Sequence, residues 1–268
     1  MLGWTPPGGS PRLWLSPGAQ CGPGLAIRGG IPVIFPQFAG RGPLPKHGVA
    51  RNRGWEVLES PQSAAATVEG TAGTGSADGA TAGSGVRWRA RLTDDDATRA
   101  IWPHRFELIL TVRAEGDRLD TTLTVRNTDD VEWTFTAALH TYLALGDPGA
   151  LIHGLGGRIA EDNAAGGTSI TLGTAGEALQ AVTARDIAVL DADEPLTLDD
   201  PRLGPLVVTG EGFGDRVVWN PGPGHGLSDV PEGDERNFVC IETAELTAIM
   251  IQPGGIWNGR QTLLARAL

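Results

Sequence analysis

The chain has 268 residues, and its 40% hydrophobic side chains, set beside 39 glycines and 19 prolines, describe a folded chain rich in turns and exclude a disordered one. Thirty-two acidic against 21 basic residues give a net charge of −11. That charge excludes nonspecific attraction to nucleic acid or anionic membrane, and it requires a local basic cluster for any anionic ligand.

The first residues, Met1-Leu2-Gly3-Trp4-Thr5-Pro6-Pro7, lack the basic start and apolar run of an export signal, and no later stretch has the length of a membrane span. Cys21 and Cys240 lie far apart and outside any C-x-x-C spacing, so neither a zinc site nor a disulfide framework is indicated. A soluble protein of the reducing cytoplasm is expected.

The first stretch with chemical content is Arg28-Gly29-Gly30-Ile31-Pro32-Val33-Ile34-Phe35-Pro36-Gln37-Phe38, followed closely by His47-Gly48-Val49-Ala50-Arg51. Its glycines allow the backbone to approach a ligand and its prolines stiffen the loop, so Arg28 and Arg51 can be presented to an anion. The alternative, of about equal weight on physical grounds, is a pair of ordinary surface charges. Residues 70–85 are rich in Gly, Ala, Thr and Ser and read as a mobile surface loop between strands. Residues 1–69 carry too little strand pattern to fold alone, so 1–268 is expected to be a single domain.

Strand periodicity then takes over. Val86, Trp88, Ala90 and Leu92 alternate with arginines, as in a half-buried strand. Phe106, Leu108, Leu110 and Val112, a turn at Glu115-Gly116-Asp117, and Leu119, Thr121, Leu123 and Val125 make an antiparallel hairpin. Gly and Pro interrupt nearly every window that might carry a helix, and no internal repeat of fixed period is visible. An all-β fold follows, a large antiparallel sandwich.

In Trp133–Tyr142, read as one continuous strand, Trp133, Phe135, Ala137 and Leu139 share a core face. Thr134, Thr136, Ala138, His140 and Tyr142 share the other, which suits the floor of a cleft. His140 is the best general-acid candidate, against the commoner alternative of a hydrogen-bonded structural histidine. Asp186 and Asp229 precede short apolar runs and are weak candidates for orienting hydroxyl groups. In Asn237–Glu245 both faces are apolar, which predicts a central strand with Glu242 in a buried row. Burial without a cation raises a carboxylate's pKa and prepares it as a proton acceptor near neutrality. Glu245 is expected at a strand end, turned to water.

His47, His104, His140, His153 and His225 show no close ligand spacing, and Walker-type, G-x-S-x-G and strand-linked G-x-G-x-x-G motifs are absent. Neither a metal nor another cofactor is expected.

Four groups of residues, in this order along the chain, resemble the hexose-6-phosphate mutarotases of the aldose 1-epimerase-like family. They are Arg28–Pro32 with Phe35–Phe38, Gly42–Arg51, Ala138–Tyr142, and Val218–Pro221 with Val239–Glu242. The resemblance covers roughly residues 12 to 262. It implies a β-supersandwich, His140 as the acid on the ring oxygen, Glu242 as the base on the anomeric hydroxyl, and Arg28 and Arg51 on a phosphate with His47 nearby. Where the family often has Asp-Arg-x-Tyr, this chain has Asp186-Ile187-Ala188-Val189, so only the aspartate carries over as a substrate-binding residue. The usual Asp-Met after Trp-Asn-Pro is Asp229-Val230 here. Members usually begin with one or two more strands, so an exposed sandwich edge is expected. The implied partner is a phosphorylated hexose, bound by a monomer or weak dimer. Within the same reading stand two alternatives: an epimerase of unphosphorylated aldoses and a non-catalytic carbohydrate-binding module.

Overall fold

The computed structural model describes residues 1–22, 24–60 and 85–266; the loop expected at 70–85 lies, but for Gly85, outside the described residues. Strand alternation translates directly into two antiparallel sheets.

Nine strands form one sheet, in the order β11 (Leu179–Gln180), β8 (Leu151–His153), β13 (Leu196–Asp199), β14 (Leu206–Glu211), β17 (Ile256–Ala265), β5 (Arg118–Asn127), β4 (Phe106–Glu115), β3 (Val86–Thr93) and β2 (Glu56–Glu59). The expected hairpin is β4–β5, paired from Phe106 opposite Asn127 to Glu115 opposite Arg118. Its turn places Gly116 at φ 57°, a left-handed conformation that a glycine takes without steric cost. Phe106, Leu108, Leu110 and Val112 face inward beside Leu119, Leu123 and Val125, all buried. In β3, Ala90 and Leu92 are buried and Arg87 is exposed. At one edge of this sheet β2 leaves Glu56, Val57 and Leu58 exposed.

The other sheet has eight strands: β1 (Val33–Ile34), β6 (Trp133–Leu139), β16 (Phe238–Ile251), β15 (Asp215–Asn220), β12 (Arg185–Val189), β9 (Ile159–Asp162) and β10 (Thr168–Thr171), with β7 (Tyr142–Ala144) also paired to β16. A large apolar cluster, including Phe35, Phe106, Leu123, Phe135, Leu139, Val218, Ile241 and Leu263, joins the two sheets. Burial of each such side chain contributes roughly 1.5–3 kcal/mol, so this shared core fixes which face of each strand points inward. Among the described residues, helix is limited to α1 (Asp96–Ile101), capped by the Asp95 side chain on the Thr98 N–H, and short 3₁₀ turns.

Three local expectations change. Residues 133–142 are not one strand: β6 ends at Leu139, and the chain resumes as β7 at Tyr142. The interruption lies at Thr141, whose N–H turns back to Leu139 O at 3.0 Å, while His140 N–H keeps step with the β1 side by donating to Pro32 O at 3.0 Å. Glu245 is not at a strand end, because β16 runs on to Ile251; it is half-buried and accepts from Gly214 N–H at 3.3 Å. Gly29, at φ 125°, approaches the chain's own backbone and not a ligand: a Cβ there would lie 2.6 Å from Trp14 O.

Candidate active site

The face of the eight-stranded sheet turned away from the shared core is the one expected to floor a cleft, and cross-strand register sets its rows. Leu139 lies opposite Thr243 and Tyr142 opposite Cys240, so pairing keeps its register across the break and places His140 opposite Glu242. Val217 on β15 continues the Glu242 row, and Ala188 on β12 pairs with Val217. The next row along the strands holds Tyr142, Cys240, Trp219 and Asp186. Side chains of cross-strand neighbours share a face, so a line of charge and proton chemistry lies between two apolar groups. On one side the far end of the row, Val217 and Ala188, joins Ile34, Phe38, Ala138, Ala244 and Leu246 in an apolar cluster. Aromatic residues pack on the other, with Trp14, Tyr142 and Phe238 in contact with Trp219.

His140 Nε2 and Glu242 Oε1 are 3.4 Å apart, and the two residues are 8% and 1% exposed. The His140 ring stacks on Tyr142 at 5.0 Å and 9°, and meets the edges of His47 and Trp219 at 5.6 and 6.0 Å. Three aromatic neighbours therefore hold the imidazole plane. Its Nδ1, and Oε2 of Glu242, are buried with no hydrogen-bond partner among the described residues. Buried polar atoms left in this state are costly, and they mark groups built to meet something else.

Electrostatics sharpen the pair. Burial pushes the Glu242 carboxyl well above the usual carboxylate range and Asp186 adds to that, while Arg51 and Lys46 oppose it. His140 is driven well below the ordinary imidazole value by burial, then by His47, Arg51 and Arg28. Cys240 is a neutral thiol, held so by burial and by Glu242.

The sequence-picked cations converge here. Arg28 donates from Nε to Asp229 Oδ2 and from a terminal nitrogen to the Tyr142 hydroxyl, both at 3.0 Å, with its guanidinium 5.9 Å from the Trp219 ring centre. Burial works against its charge, but Tyr142 and Asp229 outweigh that and raise its pKa. Arg51 lies within Coulombic reach of Tyr142, Arg28 and Glu242; it makes one long bond to Lys46 O, at 3.4 Å, and its buried Nε has no partner among the described residues. His47 sits at φ 68° with Nδ1 accepting from Ala39 N–H at 3.3 Å, so in its neutral form the proton is on Nε2. Its pKa is lowered to about 3, first by burial, then by Arg51, Lys46 and Arg28. Asp186 lies near enough to raise Glu242, and its Oδ1 accepts from Asn163 Nδ2 at 2.8 Å.

All six residues singled out from sequence, His140, Glu242, Arg28, His47, Arg51 and Asp186, thus belong to one neighbourhood. Asp229 pairs with Arg28 through Oδ2. Two contributors escaped sequence reasoning. Trp14 stacks on Phe238 at 4.1 Å and supports the aromatic side; the alternation of Arg12-Leu13-Trp14-Leu15 was its available signal. Gln261 lies beneath the pair, on the core side, as the one polar side chain on an otherwise apolar face of β17.

Comparison with known proteins gives the family and the fold. Residues 1–264 match the family model described as aldose 1-epimerase. A protein of Cenchrus ciliaris named "Putative glucose-6-phosphate 1-epimerase" is 33% identical over 98% of this chain and 77% of its own length. One of the same name from Escherichia coli (strain K12) is 32% identical over 91% of this chain and 76% of its own. The crystal structure of a protein described as a "putative mutarotase (YeaD)" from Salmonella typhimurium superposes with a TM-score of 0.80 at 27% identity, covering 99% of this chain and 84% of that one. The Slr1438 protein of Synechocystis sp. PCC 6803, 19% identical with a TM-score of 0.74 over 98% of this chain and 86% of that one, shares the fold. Matched by the family model over nearly its whole length, and by relatives a third identical to it, the chain belongs to the aldose 1-epimerase family.

Proposed function

We propose that this chain is a hexose-6-phosphate mutarotase, interconverting the α and β anomers of glucose 6-phosphate or a similar hexose 6-phosphate without a cofactor. The observation that carries the reading is the placement of His140 and Glu242 side by side, 3.4 Å apart, on a buried row flanked by arginines. The ring oxygen and the anomeric hydroxyl of a closed sugar are bonded to the same carbon. An acid for one and a base for the other must therefore act from adjacent positions.

His140 gives a proton to the ring oxygen while Glu242 takes the proton of the anomeric hydroxyl; the ring C–O bond breaks and an aldehyde forms. Rotation about the bond between the first two carbons, then closure with the roles reversed, yields the other anomer. Both groups return to their starting state. Each proton transfer is worth roughly 10²–10⁴-fold.

The pair carries one exchangeable proton in two arrangements, carboxylate with imidazolium or carboxyl with imidazole. The first opens the ring and the second is what remains after opening. Burial favours the second arrangement, the one that remains after ring opening. Arg28 and Arg51 are assigned to the phosphate, the neutral His47 offers its Nε2–H beside them, and Asp186 is assigned to a sugar hydroxyl. The names carried by the 32–33% identical relatives support the same substrate class.

The test is anomerisation of freshly dissolved α-glucose 6-phosphate, followed by polarimetry or NMR exchange. A rate well above that of buffer is expected; a rate equal to buffer's on phosphorylated and free sugars alike would point to a binding module. One observation favours action on unphosphorylated aldoses instead: Asp229 and Tyr142 already engage Arg28. Comparison of glucose with glucose 6-phosphate decides between the two.

A further inference from the structure

We infer that Gln261 is a positioning residue for the His140–Glu242 pair, acting from the opposite sheet through the two residues that follow His140 and precede Glu242. This rests on the mutarotase reading for its chemistry and on the fold alone for its geometry.

Gln261 lies on β17, in the middle of the nine-stranded sheet, where its neighbours are Thr121 on β5 and Gly210 on β14. Its side chain crosses the interior of the sandwich, and only 1% of the residue is exposed. The Thr141 hydroxyl donates to Gln261 Oε1 at 2.5 Å. Gln261 Nε2 donates in turn to Ile241 O at 3.4 Å, and Ile241 N–H donates to Thr141 O at 3.1 Å. These three bonds close a ring. It ties Thr141 to Ile241 where the strand is broken and ordinary ladder pairing is weakest.

The geometric consequence follows from alternation along strands. Thr141 and Ile241 point into the core, so their chain neighbours His140 and Glu242 point into the cleft. Fixing the first pair fixes the separation of the second. A glutamine inside an apolar core is an expensive way to fill space: its amide loses water and recovers only the bonds it makes. The inward residues to either side in β17, Gly259, Leu263 and Ala265, are apolar, and a leucine would fill the volume of residue 261. The amide is accounted for by the ring it completes.

Three variants test this: Gln261→Leu, Thr141→Val, and the two combined. The combination removes the Thr141–Gln261 bond together with both its partners but leaves Ile241 O without the Gln261 donor, so we expect the double variant to fold with a lowered Tm. Its kcat for glucose 6-phosphate anomerisation is expected to fall roughly tenfold to a hundredfold with KM little changed, the signature of misplaced reacting groups. The ¹⁵N resonances of the His140 ring should also move, a readout that needs no turnover. Wild-type kcat together with unmoved His140 resonances in the double variant would overturn the inference. So would failure of every leucine-containing variant to fold, which would make the amide a requirement of the whole fold. A wild type without anomerase activity whose His140 resonances still move on substitution would break the mutarotase reading and leave the positioning role intact.

Discussion

The two sheets handle their charges in opposite ways. On the open face of the nine-stranded sheet, charges pair with each other in water: Arg91 with Glu56, Arg113 with Glu115 and Arg118 with Asp120, each at 2.7 Å. Such exposed pairs contribute about 0–1 kcal/mol each and serve mainly to keep the face solvated. On the cleft face of the eight-stranded sheet the charges are buried and incompletely matched. Arg51 Nε, His140 Nδ1 and Glu242 Oε2 have no partner among the described residues. Buried atoms without a partner also occur singly elsewhere, as at Arg89 Nε and Arg260 Nε, but here an acid, a base and a cation lack partners together, as expected where a ligand supplies the missing contacts.

The largest expected effect breaks that comparison at its centre. His140→Asn and Glu242→Gln each keep size and burial but remove one proton-transfer group. Each should fold and lose roughly 10²–10⁴ in kcat for hexose 6-phosphate anomerisation; full activity in either variant would remove the pair from the mechanism. Next come the cations. Arg28→Ala and Arg51→Ala should each weaken kcat/KM on glucose 6-phosphate by roughly 2–4 kcal/mol, because a buried charge contact is lost, and leave free glucose little affected. Unchanged preference for the phosphorylated sugar in both would return these residues to a structural role.

A third effect is on stability and depends on pH. His47 resists protonation down to about pH 3 in the folded chain. An unfolded histidine takes its proton near about pH 6.5. Between those values the unfolded state holds more protons, so His47 subtracts stability as pH falls from about 6.5 toward 3. His47→Gln should therefore show a shallower acid loss of Tm over this window, and a variant with the wild-type slope would mean the imidazole is not kept neutral by its surroundings. The smallest effect belongs to the other sheet: Arg91→Ala should change stability by less than about 1 kcal/mol and leave turnover unaltered, checked by Tm and by the same assay.

What the sequence made legible was whatever depends on alternation alone. Phe106–Val112 and Leu119–Val125 gave the hairpin, and Phe238, Cys240 and Glu242 gave a buried row on a central strand. The two faces of 133–142 were also correct, because register survives the interruption. The break itself was not legible, since nothing in Leu139-His140-Thr141 signals that the Thr141 N–H turns back to Leu139 O. Glu245 was misread for a related reason: nothing within 237–245 reveals that the strand continues to Ile251. Gly29 lies in the stretch read as one of close approach, and within the chain it approaches the Trp14–Leu15 backbone, a neighbour its sequence does not reveal because glycine records that space is tight without recording what fills it. The engagement of Asp229 with Arg28 joins the two ends of the chain and has no local signal at all.

The order of strands carries a consequence for how the molecule assembles. β16 and β17 follow every other described strand in the chain, yet neither sits at an edge: β16 lies between β6 and β15, and β17 between β14 and β5. A chain emerging during synthesis must hold a gap open in the middle of each sheet until these two strands arrive. Such distant pairings are slow to form and leave unpaired strand edges exposed while they wait. Glu242 arrives on the first of the late strands and Gln261 on the second. On the proposed mechanism, competence for chemistry is acquired at the same step as completion of the sheets, and a nascent chain lacking its last strands has His140 but neither the Glu242 carboxyl that faces it nor the amide beneath it.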